Sequence, residues 1–218
     1  MNLIFDIDGT LWDTTDVVAG AWMRAIKDSG VESIKDVCVT GAVLKREFGK
    51  PMDIIANDLF GEIDPDDKAH VLKFCCKYEH DAIADCNDDL AYENMRETLH
   101  ELARKHNLYI VSNCQDGYIE LVMEKNNITD IVKDYECFGH SGLYKAENIK
   151  LLMSRNNIEA KDTLYIGDTI GDFEATKEVG LKFVWAGYGF GTVDNPDYTI
   201  DKPSDLIRCM DRNSQELV

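Results

Sequence analysis

Apolar residues fill most of the opening segment Met1-Asn2-Leu3-Ile4-Phe5-Asp6-Ile7-Asp8-Gly9-Thr10, and a Gly-Thr break follows at once. The pattern predicts a short buried strand over residues 2–7 whose C-terminal end carries two carboxylates. From residue 14 the period changes. Val17, Val18, Trp22 and Ile26 recur at helical spacing, as do Val43, Leu44 and Phe48, then Ile54, Ile55 and Leu59, then Val71, Leu72, Cys75 and Tyr78. Gly30, Gly49-Lys50-Pro51 and Asp64-Pro65 break the pattern between them, so residues 14–86 read as an all-helical insert of about four helices. The acidic run from Asp85 to Asp89 reads as a hinge or solvated loop at its end.

Beyond the insert, short apolar runs alternate with helical periods. Helices are expected near 92–106, 117–126, 146–156 and 171–179, and strands near 108–111, 135–138, 163–166 and 182–185, followed by a polar C-terminal tail. Such alternation predicts an α/β fold with a Rossmann-like parallel sheet covered on both faces. The core is then 1–13 and 87–218, and the helical domain 14–86.

Composition adds limits. Of the 218 residues 44% are hydrophobic and 29% charged, and no apolar run reaches the roughly 18 residues that span a bilayer. Asp6 interrupts the N-terminal apolar run too early for a secretory signal, which predicts a cytoplasmic protein. Seven cysteines, an odd number without metal-finger spacing, read as reduced structural thiols. The 41 acidic against 23 basic residues give a formal net charge of −18, which argues against nucleic-acid or anionic-membrane partners. An anionic substrate would then need a local positive focus.

The chemistry-bearing residues sit just past predicted strands. Asp6 and Asp8 follow the first, Ser112 and Asn113 the second, and Asp168 and Asp172 the strand at 163–166, while Lys145 precedes a helix. In a parallel sheet these ends share one edge. Carboxylates, a hydroxyl and an ammonium there suit phosphoryl transfer, which needs a nucleophile, a hard cation such as magnesium and donors for the remaining charge. Asp168 also has a simpler reading, as a cap of the helix after it.

Phe5-Asp6-Ile7-Asp8-Gly9-Thr10-Leu11, Val111-Ser112-Asn113, Lys145 and Gly167-Asp168-Thr169-Ile170-Gly171-Asp172, in this order, resemble the four motifs of the haloacid dehalogenase superfamily over essentially the whole chain. The helical insert resembles that superfamily's helical (C1) cap, in the manner of members like phosphoglycolate phosphatase. The resemblance implies that Asp6 attacks phosphorus to give an aspartyl phosphate and that Asp8 is the general acid and base. It implies magnesium on Asp6, the Asp8 carbonyl and Asp168, with Asp172 in support. Gly9, Thr10, Ser112, Asn113 and Lys145 would hold phosphate. Asp8 itself implies a phosphate ester as substrate, since dehalogenases lack this acid.

Two features depart from the pattern. Ala146 follows Lys145 where many relatives have proline, which leaves Lys150 as a weaker candidate, and Cys114-Gln115-Asp116 is unusual. Lys45, Arg46 and Lys50, around the loop Phe48-Gly49-Lys50-Pro51-Met52, are candidates to bind an anionic leaving group or a plain solvated face. The expectation is a phosphatase of a small phosphorylated metabolite, monomeric or homodimeric. A sugar phosphomutase and a non-catalytic phospho-aspartate switch are the alternatives.

Overall fold

In the computed structural model, which describes residues 1–216, the chain runs β1 (Asn2–Phe5), α1 (Thr15–Ser29), α2 (Gly41–Glu47), α3 (Met52–Phe60), α4 (Pro65–Asp85), α5 (Met95–Ala103), β2 (Asn107–Ser112) and α6 (Tyr118–Asn126). It continues with β3 (Val132–Cys137), α7 (Phe138–Ser141), α8 (Lys145–Asn156), β4 (Thr163–Gly167), α9 (Ile170–Val179), β5 (Lys182–Ala186), β6 (Tyr198–Ile200) and α10 (Asp205–Glu216). The structure divides into two compact units, Met1–Asp13 with Ala91–Val218, and Thr14–Leu90.

The first unit is built on a six-stranded sheet in the order β3-β2-β1-β4-β5-β6, parallel throughout. Strand alternation sends Ile4, Tyr109, Val111, Tyr165 and Phe183 to one face. There they pack with Ile149, Leu152 and Met153 of α8 and Phe173 and Val179 of α9. Leu3, Phe5, Leu108, Ile110, Leu164, Ile166 and Val184, on the other face, are equally buried. A sheet buried on both sides needs near-continuous apolar strands, which is what these sequences supply. β1 lies between β2 and β4, with Phe5 beside Ile110 and Ile166. The residues that follow all three strands therefore leave the sheet at one edge.

Where the sequence pattern suggested a return to the core at residue 87, the chain re-enters this unit at Ala91. Ala91 bridges to Trp12, and the Tyr92 N–H donates to the Leu11 carbonyl at 3.2 Å. α5 begins only at Met95, after Asn94 adopts φ 61°. The expected polar tail is largely helix α10, whose Leu206 and Met210 are buried; residues 217–218 of that tail lie outside the described residues.

In the second unit α1 packs on α2 and α4, and α3 on α4. Asp64 caps α4 through the Asp66 N–H at 2.9 Å, with Pro65 in the first turn where its missing N–H costs nothing. Val71, Cys75, Glu79 and Ile83 form the buried stripe of α4. Glu79 is the one acidic residue in this stripe, and it accepts a 2.7 Å hydrogen bond from the indole N–H of Trp22 in α1. Among the described residues no helix is long and apolar enough to cross a membrane.

Removing this donor takes one hydrogen bond from the buried Glu79 carboxyl. Trp22→Phe is expected to lower unfolding free energy by about 1–3 kcal/mol in a urea titration; an unchanged midpoint would show that the bond adds nothing.

Candidate active site

The sheet edge brings Asp6, Asp168, Asp172 and Lys145 together, each at most 4% exposed. Oxygens of the three carboxylates lie within 4.8 Å of one another. Asp6 follows β1, its amide bonded to the Ile166 carbonyl of β4 at 2.9 Å, which fixes its height at the edge. Lys145, at the first position of α8, donates to Asp6 Oδ1 at 2.8 Å and to Asp172 Oδ1. Its ammonium lies 5.8 Å from the ring centre of Tyr165. The Tyr165 hydroxyl donates to the Val111 carbonyl at 2.8 Å. Lys150 is half-exposed and pairs with Glu178 at 2.6 Å, so Lys145 is the lysine that lies among these carboxylates.

Asp172 is already saturated on one side. Its Oδ2 accepts from the Asp168 N–H at 3.2 Å, the Thr169 N–H at 3.0 Å and the Thr169 hydroxyl at 2.7 Å. Thr169, not Asp168, caps α9, in a reciprocal capping box with Asp172. Asp168 is thereby left to the site. Its Oδ1 accepts from the Thr10 hydroxyl at 3.2 Å and its Oδ2 from the Phe190 N–H at 2.7 Å.

Two phosphate-holding candidates of the sequence reading are engaged elsewhere. The Gly9 N–H donates to the Trp12 carbonyl at 2.9 Å and the Thr10 N–H to the Ile7 carbonyl at 3.0 Å, while the Thr10 side chain holds Asp168. The tight turn after β1 uses these groups to close itself. Gly9 serves instead by its shape: it has φ +82°, and a Cβ there would stand 2.2 Å from Asp168 Oδ2. Ser112 ends β2 and Asn113 follows it, both buried, two and three residues past the Ile110 that pairs with Phe5. Lys50, in the second unit, bridges Glu47 at 2.7 Å and Asp58 at 2.8 Å; Lys45 and Arg46 are exposed.

Burial and crowding of like charge dominate the electrostatics. Desolvation pushes Asp6 up to about 6, against the pull of Lys145 and helped by Asp172. Asp168 is raised well above the carboxylate range by burial, then by Asp172 and Asp6. Burial works against the Lys145 ammonium, but Asp172 and Asp6 outweigh it and hold the pKa well above its ordinary value.

Three supporting features escaped the sequence reading. Asp8 Oδ1 accepts from the Tyr118 hydroxyl at 2.7 Å and the Trp12 indole N–H at 3.2 Å. Tyr165 lies beneath the ammonium. A loop after β5, Gly187-Tyr188-Gly189-Phe190-Gly191, wraps Asp168, and a Cβ at Gly189 would meet the Asp168 Cβ at 2.3 Å and the Gly9 carbonyl at 2.4 Å. Glycine at alternate positions straight after a strand was the available signal for this close approach.

The profile of the haloacid dehalogenase-like hydrolase family matches residues 3–186. The chain belongs to this family. A phosphoglycolate phosphatase of Aquifex aeolicus is 27% identical, covering 98% of both chains. An N-acetylmuramic acid 6-phosphate phosphatase of Pseudomonas putida is 22% identical, covering 96% of this chain and 95% of its own. Among solved structures, a predicted phosphoglycolate phosphatase from Haemophilus somnus superimposes with a TM-score of 0.82 at 20% identity, over 96% of this chain and 97% of that one. The protein is thus a haloacid dehalogenase-like hydrolase whose full-length curated relatives are phosphatases.

Because Asp6 holds its proton to about pH 6 when folded, against 3.8 for an ordinary Asp, the folded state binds more protons across that window and stability falls as pH rises through it. In chelator, Asp6→Asn is therefore expected to exceed wild type by about 1–3 kcal/mol above pH 6 and to match it near pH 3.5. Thermal melts at both pH values check this; an equal gap at the two would refute it.

Proposed function

We propose that the protein is a magnesium-dependent phosphohydrolase of small phosphate monoesters, working through an aspartyl phosphate on Asp6. The observation that carries this reading is Asp6 itself. It is a buried carboxylate with Oδ1 held by Lys145 and with Oδ2 taking no hydrogen bond. Three buried carboxylates against one ammonium leave an excess of negative charge, and hard oxygen donors around an orphaned carboxylate oxygen fit a magnesium ion. Asp6 and Asp168 would hold it, with the Asp8 carbonyl, and Asp172 would act through the groups it orients. When bound, the ion supplies positive charge that offsets the repulsion between carboxylates and phosphate.

The chain's own residues then have the following tasks. Lys145 orients Asp6 and balances part of the charge of phosphate oxygens, with Ser112 and Asn113 at the neighbouring strand end as further donors. A carboxylate oxygen of Asp6 forms a bond to phosphorus as the ester P–O bond breaks and its electron pair passes to the leaving oxygen. Asp8 gives that oxygen a proton. Water next attacks phosphorus while Asp8 takes its proton, the bond between Asp6 and phosphorus breaks with its electron pair returning to the Asp6 carboxylate, and phosphate leaves. The helical unit, with exposed Lys45 and Arg46, is assigned the choice of leaving group.

Purified protein with magnesium is expected to release phosphate from 4-nitrophenyl phosphate, and Asp6→Asn to lower kcat by at least about 10³-fold. Near wild-type turnover by the variant would remove Asp6 as nucleophile.

A further inference from the structure

The stretch Cys114-Gln115-Asp116 that follows Asn113 has a structural result. The Cys114 carbonyl accepts the Gly139 N–H at 2.9 Å and the Gln115 carbonyl accepts the Tyr118 N–H at 3.3 Å. Gly117 turns with φ +81°. The approach is close, since a Cβ on Gly139 would stand 2.0 Å from the Asp116 nitrogen. This turn delivers Tyr118, the first residue of α6, to Asp8. The Tyr118 ring is 1% exposed and packs edge-on against Trp12, centroids 5.9 Å apart at 71°.

Both rings donate to the same oxygen, Asp8 Oδ1, at 2.7 Å and 3.2 Å. The indole N–H can only donate, and with the Tyr118 hydroxyl donating to the same atom both lone-pair directions of Oδ1 are taken. Oδ1 therefore stays an acceptor and the proton belongs on Oδ2. We propose that Tyr118 is a positioning residue that, with Trp12, locks the Asp8 carboxyl so that Oδ2 is the oxygen exchanging protons with the leaving group and then with water. The inference rests on the phosphatase reading above. As the ester bond breaks, its electron pair goes to the leaving oxygen, which takes the proton from Oδ2; Asp8 becomes a carboxylate whose Oδ1 keeps both donors. In the second step Oδ2 takes a proton back from water.

Misaimed, this acid would matter most for esters whose leaving oxygen is strongly basic. An alkoxide cannot depart without the proton, whereas 4-nitrophenolate can. The experiment compares wild type with Tyr118→Phe, and with Trp12→Phe, in magnesium. The substrates are 4-nitrophenyl phosphate and whichever of phosphoglycolate, glycerol 3-phosphate and glucose 6-phosphate the wild type turns over fastest. Tyr118→Phe is expected to lose about 10- to 100-fold in kcat on the alkyl ester and less than about threefold on the aryl ester, with KM little changed on both, and Trp12→Phe to lean the same way. The alkyl-to-aryl ratio does not depend on how much of a variant is folded. Equal losses on the two esters, or none, would overturn the role of Tyr118 while leaving the phosphatase reading intact. A wild type silent on every ester would overturn the phosphatase reading and this role with it.

Discussion

Like charge held out of water is the constraint around which the first unit is arranged. Asp6, Asp168 and Asp172 share the end of the sheet with one ammonium, Lys145. Moving such groups from water is expensive, and the cost is tolerated only where each charge finds partners. The neighbouring architecture supplies them. The capping box on Asp172, the Thr10 hydroxyl and Phe190 amide on Asp168, and the stacked glycines that let backbone approach it are all answers to one electrostatic problem. What stays unanswered is the second oxygen of Asp6, and the proposed chemistry begins at that atom.

The two carboxylates of the opening motif, only two residues apart, live in different surroundings. Asp6 faces other charges, whereas Asp8 turns to two aromatic donors. Residue separation of two in an irregular turn permits this divergence, and the proposed division of labour between a nucleophile and an acid would draw on it.

The parallel sheet and the convergence of motifs at one edge were legible because buried parallel strands must be apolar and end in polar groups. Asp6, Asp168 and Asp172 were placed at that edge in this way, and Lys145, which starts a helix, by its order among the motifs. Their partners were not. Thr169 displaced Asp168 as the helix cap because its hydroxyl and the Asp172 carboxylate satisfy each other, a reciprocity that residue types suggest only once the helix start is known. Gly9 and Thr10 were expected at phosphate, and their amides bond within the turn. Tyr118 and Tyr165 were invisible because each acts across more than 50 residues of chain, at separations of 110 and 54 from Asp8 and Val111. β6 has three residues, too few for a period, and the sequence of α10 is so rich in polar residues that it read as a tail.

All three tryptophans of the chain spend their indole N–H on groups that matter. Trp12 donates to Asp8, Trp185 to the Asp168 carbonyl at 3.1 Å and Trp22 to Glu79. Two of these partners stand in the site and the third lies in the core of the helical unit. The molecule thus contains its own optical reporters: ultraviolet emission from this chain carries the surroundings of Asp8, of Asp168 and of the second unit, with no dye attached.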